Sequence, residues 1–375
     1  MTVERFSIAV PDADLADLRE RIGRARWPEA ETVDDWSQGV PLAYLREVCE
    51  HWRTAYDWRA VEARLNALDQ FRTTVDGLGI HFIHQRSPHE DALPLVITHG
   101  WPGSVVEFLK VIGPLTDPTA HGGSASDAFH VVAPSLPGYG WSDKPTETGW
   151  GVERIAAAWT SLMGTLGYER FGAQGGDWGS MVTAAIGANH AAHVAGIHLN
   201  MAIALPNTME DLTEAEQSAL AGMQHYQKWD SGYSKQQSTR PQTLGYGLAD
   251  SPVGQCAWIL EKLWAWTDCD GHPENALSRD EMLDDITLYW LTNTAASSAR
   301  LYWESFESGS LDPISVPTGI SVFPKEIFRT SERWARARFT DLRHFNALDR
   351  GGHFAAWEQP EAFVDEVRTF FRAVR

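Results

Sequence analysis

The sequence feature that most restricts the fold is a glycine-rich segment between a strand-like run and a helix-like run. Residues 170–174 have the character of a buried strand and lead into Gly175-Gly176-Asp177-Trp178-Gly179-Ser180. Small residues on both sides of one central side chain permit a strained strand-to-helix turn that presents this side chain above a sheet. The segment therefore predicts a sheet whose strands are followed by helices.

The remaining apolar pattern agrees with that fold class. Short apolar runs predict strands, and longer amphipathic runs predict helices. The predicted strands are residues 80–83, 93–98, 129–133, 170–174 and 319–323, and the predicted helices include 105–115, 152–166, 212–227, 253–266 and 281–306. Alternating strands and helices indicate an α/β fold with a mostly parallel sheet. We expect a helical N-terminal extension (1–75), a core (76–205 and 311–375) and a helical lid (206–310).

Charge and composition exclude several classes of function. The 375 residues carry 31 Lys and Arg against 50 Asp and Glu, a net charge of −19, which disfavours nucleic acid and anionic membrane surfaces. Three cysteines without C-x-x-C spacing argue against a disulfide framework or a zinc site. No apolar stretch long enough to span a membrane is found. We expect a soluble cytoplasmic protein without metal or organic cofactor. The 17 tryptophans suit an aromatic cavity or additional core.

The central residue of the glycine-rich turn, Asp177, is the candidate nucleophile. A carboxylate attacks carbon rather than an acyl group, which produces an alkyl ester that water must then hydrolyse. The alternative is a helix N-cap, a common place for Asp. The flanking glycines exceed what a cap requires, so the nucleophile is favoured.

Hydrolysis of such an ester needs a base oriented by an acid, and in this fold the chain order is nucleophile, acid, histidine. His353 follows Gly351-Gly352 on a loop ahead of the last predicted helix. Glu326 comes directly after the predicted strand at 319–323, 27 residues before that histidine. Asp312 precedes the strand and Asp341 falls in a linker, so both rank lower. The predicted catalytic set is thus Asp177, Glu326 and His353.

Aromatic residues surround these positions in the sequence. Trp101, in the loop after the strand at 93–98, and Trp178, next to the nucleophile, are placed to donate their backbone amides as an oxyanion hole. His99 is expected to be a buried residue that shapes its loop. Trp101, Trp178, Trp258 and Trp264 are the candidate substrate-pocket residues, which suits a bulky apolar substrate.

Four motifs together resemble those of one enzyme family. They are His99-Gly100-Trp101-Pro102, Gly138-Tyr139-Gly140-Trp141-Ser142, Gly176-Asp177-Trp178-Gly179 and Gly351-Gly352-His353-Phe354-Ala355-Ala356. The chain resembles α/β-hydrolase-fold epoxide hydrolases of the microsomal type. Val10-Pro11-Asp12, Arg26-Trp27-Pro28, Gly39-Val40-Pro41-Leu42 and Tyr56-Asp57-Trp58-Arg59 are similar to the N-terminal region of that branch. The apolar N-terminal helix of the membrane-anchored members is not found, so we expect a soluble bacterial member.

The resemblance also implies two lid tyrosines whose phenols hydrogen-bond the epoxide oxygen. Tyr302 matches the second of them, and Tyr233 is the choice for the first, with Tyr246 as its competitor. Glu326 stands where many hydrolases of this fold carry Asp, a variation that the microsomal branch accommodates. The implied reaction converts an epoxide into a vicinal diol, with the epoxide and water as partners and a homodimer as the candidate assembly.

Two alternatives to this activity stay open from the sequence. A haloalkane dehalogenase shares the aspartate nucleophile and the histidine but expels a halide against indole N–H donors. A lid-covered binding protein without catalysis is disfavoured because nucleophile, acid, base and donors are all present. The role of the reaction is open between detoxification and secondary-metabolite biosynthesis, including that of enediynes. The particular epoxide and the stereochemistry are open as well.

Overall fold

A computed structural model describes residues 2–206, 208–305 and 311–375. These residues form a nine-stranded sheet in the order β1-β2-β3-β5-β4-β6-β7-β8-β9. The strands are β1 Glu4–Phe6, β2 Gln70–Val75, β3 Leu78–Gln85, β4 Leu93–Thr98, β5 Phe129–Pro134, β6 Phe171–Gly175, β7 Val194–Leu199, β8 Thr318–Val322 and β9 Leu342–Ala347. Six neighbouring strands of the sheet, β5-β4-β6-β7-β8-β9, run parallel. The pairs β1–β2, β2–β3 and β3–β5 are antiparallel. The predicted mostly parallel sheet is confirmed.

Helices cover the sheet and fill two further regions. Those of the N-terminal region are α1 Asp12–Gly23, α2 Leu42–Thr54 and α3 Trp58–Asn66, and those of the first half of the core are α4 Ile112–Thr116, α5 Val152–Thr165 and α6 Asp177–Asn189. Between β7 and β8 lie α7 Glu214–His225, α8 Gly232–Thr239, α9 Pro241–Asp250, α10 Pro252–Trp266, α11 Arg279–Thr292 and α12 Ala295–Ser305. The chain ends with α13 Glu332–Arg338, α14 Ala355–Glu358 and α15 Pro360–Arg372.

The six helices between β7 and β8 occupy the segment that the sequence analysis predicts to be a lid. Their insertion at this point places them at the carboxyl ends of the parallel strands, where α/β sheets bind their ligands. Buried polar contacts fix the lid to the N-terminal helices. The Trp52 indole on α2 donates to the Thr287 hydroxyl on α11 (2.8 Å), and the Tyr56 hydroxyl donates to Asp284 (2.9 Å). The N-terminal region thus supports the lid from outside the sheet.

Four strands were not found from the sequence, and two predicted helices differ in extent. The missed strands are β1, β2, β7 and β9. The predicted helix at 105–115 is a 3-10 turn, Val105–Phe108, followed by the short α4. The predicted helix at 281–306 is two helices, because Asn293 adopts a left-handed conformation (φ 50°) that ends α11; residue 306 lies outside the described residues.

The division of the chain into an N-terminal extension, a core and a lid, with the boundaries given above, stays a prediction. The N-terminal region contains the expected helices, and its first and last strands, β1 and β2, extend the sheet. Within the described ranges, no helix is long and apolar enough to cross a membrane.

Candidate active site

Asp177 occupies the turn between β6 and α6 and has a positive φ of 50°. Aspartate tolerates this left-handed region better than most residues, but it is an uncommon and strained conformation. The turn is closely packed: a Cβ on Gly179 would collide with the carbonyl oxygen of Thr98, and one on Gly175 would collide with the Gly179 backbone. Only glycine fits at these two positions, so the turn predicted from the sequence is present.

Three side chains from three loops meet at this turn. His353 Nε2 lies 3.3 Å from Asp177 Oδ2, and His353 Nδ1 lies 2.7 Å from Glu326 Oε1. Glu326 follows β8 and His353 follows β9, so all three residues stand at the carboxyl ends of parallel strands. The arrangement places the imidazole between two carboxylates, as a base with an orienting acid requires.

Electrostatics favour a protonated imidazole in this arrangement. His353 and Glu326 are both buried, each with 4% of its surface exposed. Burial by itself lowers the pKa of His353, but the charges of Glu326 and Asp177 outweigh it and raise the pKa well above its usual value. The two carboxylates therefore stabilise the protonated form of the imidazole.

Backbone contacts hold the histidine loop against the lid. The His353 amide donates to the Trp266 carbonyl at the end of α10 (2.9 Å). Glu358 accepts from the Phe354 amide (3.0 Å) and from the Asp268 amide (2.7 Å). Glu326 is fixed in turn, since its Oε1 accepts from the Ile327 amide (2.7 Å). Neighbouring backbone groups thus hold both the imidazole and its carboxylate partner in place.

The loop after β4 contributes a backbone donor. The Trp101 amide donates to Asp177 Oδ1 at 2.8 Å. This amide therefore holds Oδ1 and leaves Oδ2 without a bond to it. The backbone of Trp178 follows directly in the chain. His99 is buried, with Nδ1 2.9 Å from the Gly100 carbonyl and Nε2 accepting from the Leu136 amide. Burial lowers the pKa of His99 to about 4, which agrees with its expected structural role.

Two lid tyrosines face this loop. The Tyr233 ring is stacked on Trp101 (centroids 5.0 Å, 8°), and the Tyr302 ring packs edge-on against Trp178 (4.7 Å) and Trp101 (5.9 Å). The Tyr302 hydroxyl is buried without a hydrogen-bond partner among the described residues. Burial, and next the charge of Asp177, raise the pKa of Tyr302 well above its usual value. Its phenol is therefore a neutral donor near the carboxylate.

Tyr233 is held by neighbours that the sequence analysis did not identify. Its hydroxyl lies 2.9 Å from that of Tyr226, which sits on a π-helical turn, Tyr226–Asp230. The Lys262 ammonium lies 4.8 Å from the Tyr233 ring centre and forms an ion pair with Asp230. π-Helical turns frequently mark functional sites. Tyr246, the competing candidate, is 71% exposed on α9, so the placement favours Tyr233.

Of the two lid tryptophans expected in the pocket, Trp264 lies elsewhere, and the place of Trp258 in the pocket stays a prediction. Trp264 stacks on Trp36 (4.7 Å, 8°), and its indole donates to the Gly271 carbonyl, so the structure does not bring it to the aromatic cluster. The Trp258 indole donates to Gln237 on α8 (3.0 Å). Trp266, which the sequence analysis missed, lies 5.0 Å from the His353 ring and 5.1 Å from the Tyr233 ring.

A helical pattern could have identified Trp266. Two positions along a helix turn a side chain by about 200°, so Trp264 and Trp266 face opposite sides. Trp266 continues the buried stripe of Ile259 and Leu263, which marks it as the inward residue. Within residues 2–206, 208–305 and 311–375, no group of three or more His, Cys, Asp or Glu side chains is arranged to hold a metal ion.

The parallel sheet, the aspartate turn, the acid–histidine pair and the helical lid define the class of protein as an α/β hydrolase. Comparison with known families agrees: residues 94–237 match the family described as "alpha/beta hydrolase fold", and residues 3–108 match "Epoxide hydrolase N terminus".

Similar proteins identify the family within that class. The chain is 59% identical over 376 residues to a protein of Stigmatella aurantiaca assigned to the epoxide hydrolases (99% of this chain, 85% of the relative), and 36% identical over 402 residues to epoxide hydrolase 1 of Sus scrofa (98% and 88%). The structure of Aspergillus niger epoxide hydrolase superposes with a TM-score of 0.91 at 32% identity, covering 100% of this chain and 97% of the other. The chain belongs to the epoxide hydrolases, of the microsomal type, and is an enzyme of that family.

Proposed function

We propose that the enzyme opens an epoxide to a vicinal diol through a covalent ester on Asp177. In the first half-reaction, Oδ2 of Asp177 attacks one epoxide carbon while Oδ1 stays bonded to the Trp101 amide. The carbon–oxygen bond of the ring breaks, and negative charge develops on the epoxide oxygen. The phenols of Tyr302 and Tyr233 donate hydrogen bonds to that oxygen and provide its proton.

In the second half-reaction, water attacks the ester carbonyl carbon. Alkylation removes the charge of Asp177, one of the groups that raise the pKa of His353, so the imidazole gives up its proton. This proton replaces the one that the phenol gave to the epoxide oxygen, and the imidazole becomes a base. His353 then accepts a proton from water, with Glu326 holding Nδ1–H. The Trp101 and Trp178 amides stabilise the oxyanion, and its collapse releases the diol.

The observation that carries this proposal is the position of the Asp177 carboxylate. One of its oxygens is bonded to a backbone amide and the other lies beside the base, and the unpartnered Tyr302 hydroxyl is buried in the cluster above. A helix N-cap would instead accept from amides of its own helix, whereas Asp177 is the first residue of α6 and its carboxylate accepts from the Trp101 amide of another loop. The arrangement suits a nucleophile.

A haloalkane dehalogenase would use the same aspartate with indole donors for the halide. The indole N–H of Trp178 is buried without a partner among the described residues, and this alternative could use it as a halide donor. The family membership and the two lid phenols favour the epoxide. Diol formation from an epoxide without halide release from a haloalkane is the expected outcome of a paired assay.

The ester itself is tested by trapping it. His353→Gln should still form the ester but hydrolyse it slowly. Mixed with a reactive epoxide, this variant should gain the mass of one epoxide by intact-mass measurement, whereas Asp177→Ala should not. Unmodified His353→Gln that still releases diol would remove the histidine from the mechanism.

The aromatic rings above Asp177 suit an epoxide with an apolar substituent. The rings of Trp101, Tyr233, Trp266 and Tyr302 pack against one another, and the Trp101 backbone amide is bonded to the reacting carboxylate. The cytoplasmic location, the homodimer, and a role in detoxification or secondary-metabolite biosynthesis stay predictions.

A further inference from the structure

A small cavity adjoins Asp177 on the side of the core. Its volume is about 20 Å³, which is room for about one water molecule. Its walls are core residues at the ends of β4, β6 and β7 and in the histidine loop, and no residue of the six lid helices lines it. The polar side chains that line it include Thr98, Glu107, Gln174, Asp177, Asn200 and His353.

Two buried polar atoms of this lining lack hydrogen-bond partners among the described residues. They are Thr98 Oγ1 and Gln174 Oε1, and each of the two residues is 1% exposed. Gln174 is held in place because its Nε2 donates to Asn200 Oδ1 at 2.8 Å. Buried polar groups of native proteins are nearly always paired with protein or with ordered water. The cavity therefore has the size and the polar groups of a water site.

Glu107 adds a carboxyl group that the mechanism has not used. It lies on the 3-10 turn Val105–Phe108 and is buried, with its carboxylate against Gly103, where a Cβ would collide with Glu107 Oε1. Burial, and next the charge of Asp285, raise the pKa of Glu107 well above its usual value. A protonated carboxyl group can both donate and accept a hydrogen bond, as a group that holds water against an ester needs to do.

The direction from which water reaches the ester follows from the two sides of Asp177. The lid side carries the rings of Trp101, Tyr233 and Tyr302, and after alkylation it is occupied by the bound alkyl group. The core side carries the polar cavity, and both Asp177 and His353 line it. Water held there is adjacent to the ester and to the base at the same time.

We propose that this cavity holds the hydrolytic water and that Glu107 is a further catalytic residue that binds it. This inference rests on the proposed ester mechanism. The oxygen of the held water forms a bond to Asp177 Cγ, and its proton passes to His353 Nε2. The bond between Cγ and the alkyl oxygen then breaks, and that oxygen takes the proton from His353 and leaves with the diol. The water oxygen remains on Cγ with its second proton, which passes to His353 and restores the Asp177 carboxylate.

The test separates formation of the ester from its hydrolysis in single turnovers with excess enzyme, quenched at intervals and measured by intact mass. Glu107→Leu should form the ester at the wild-type rate and hydrolyse it about tenfold more slowly, or slower still. Glu107→Gln keeps a donor and an acceptor and should stay within about threefold of wild type. Thr98→Val, on another wall of the cavity, should also slow hydrolysis alone, by about threefold or more, and it serves if Glu107→Leu does not fold.

Thr183→Val is the matched control for Thr98→Val, because Thr183 is a buried threonine whose hydroxyl also lacks a partner among the described residues but does not line the cavity. It should leave both steps unchanged. Ester hydrolysis at the wild-type rate in both Glu107→Leu and Thr98→Val would overturn the inference, as would Glu107→Gln being as slow as Glu107→Leu. If His353→Gln accumulates ester in the same experiment, the proposed function stands regardless; if it does not, that function fails first.

Discussion

Replacing Tyr302 by Phe removes one hydroxyl from the centre of the aromatic cluster. Tyr302 lies on α12 and is 3% exposed, and its ring is fixed edge-on against Trp178 and Trp101. Phenylalanine keeps these ring contacts. The change therefore tests the hydroxyl and leaves the packing of the lid almost unaltered.

The size of the effect follows from burial. A preorganised donor in a site that excludes water is worth about 2 to 4 kcal/mol at the transition state, or about 10² to 10³ in rate. The buried Trp178 indole next to this hydroxyl also lacks a hydrogen-bond partner of standard geometry among the described residues, and it acts on the pKa of Tyr302 as a hydrogen-bonding neighbour. Removal of the hydroxyl should therefore change the free energy of unfolding by at most about 1 kcal/mol. The loss of rate should thus far exceed any change in stability.

The assay is rapid mixing with excess epoxide, followed by quenching and intact-mass measurement. Tyr302→Phe should consume epoxide slowly without accumulating ester, the reverse of His353→Gln. Tyr233→Phe should show the same defect, and the double variant should be slower than either but not additively, since both phenols share one oxygen. Exposed Tyr246 supplies the control, and Tyr246→Phe should behave as wild type.

Wild-type ring opening by both Tyr302→Phe and Tyr233→Phe would refute this reasoning. The lid would then not supply the proton, and halide release would have to be tested. A slow Tyr246→Phe with a normal Tyr233→Phe would instead show that the first donor was assigned to the wrong residue.

Three further outcomes follow from the structure. Trp264→Ala should lower the free energy of unfolding by about 1 to 3 kcal/mol through loss of its stack on Trp36, with kcat unchanged, as denaturant titration and diol assays would show. Burial raises the pKa of Asp285 to about 8, so its contribution to stability is present at low pH and is lost as pH rises from about 4 through 8. In urea titrations, Asp285→Asn should lose less free energy of unfolding over that pH range than wild type. The raised pKa of His353 likewise gives stability that is present below about pH 6.5 and lost as pH rises through the folded value, and Glu326→Gln should weaken this dependence in the same titrations.

The residues that could be predicted from the sequence are those whose role is set by local chain geometry. Asp177 was found because its turn needs glycine at close backbone contacts, and these contacts are present at Gly175 and Gly179. Glu326 and His353 were found because each follows a strand in the order that the fold imposes. Tyr302 came from the family resemblance, since its helix alone would equally suit a core residue.

The residues that were missed depend on contacts between distant parts of the chain. Trp266, Tyr226 and Glu107 reach the site only through the packing of α10, the π-helical turn and the loop after β4. The strands β1 and β9 lie at the two edges of the sheet and are partly exposed, so their apolar pattern is weak. Strand β7 is fully buried, and a short buried run of this kind cannot be told from a helix by periodicity.

The central claim, that the diol receives an oxygen of Asp177, is tested most directly by a single turnover in ¹⁸O-labelled water. With enzyme in excess over epoxide, the account predicts a diol without ¹⁸O and an Asp177-containing peptide that gains one ¹⁸O. A second portion of epoxide added to the same enzyme after transfer to ordinary water should then yield diol carrying part of that label. A diol that contains ¹⁸O after the first turnover, with unlabelled Asp177, would show that water attacks the epoxide directly and would contradict the ester mechanism.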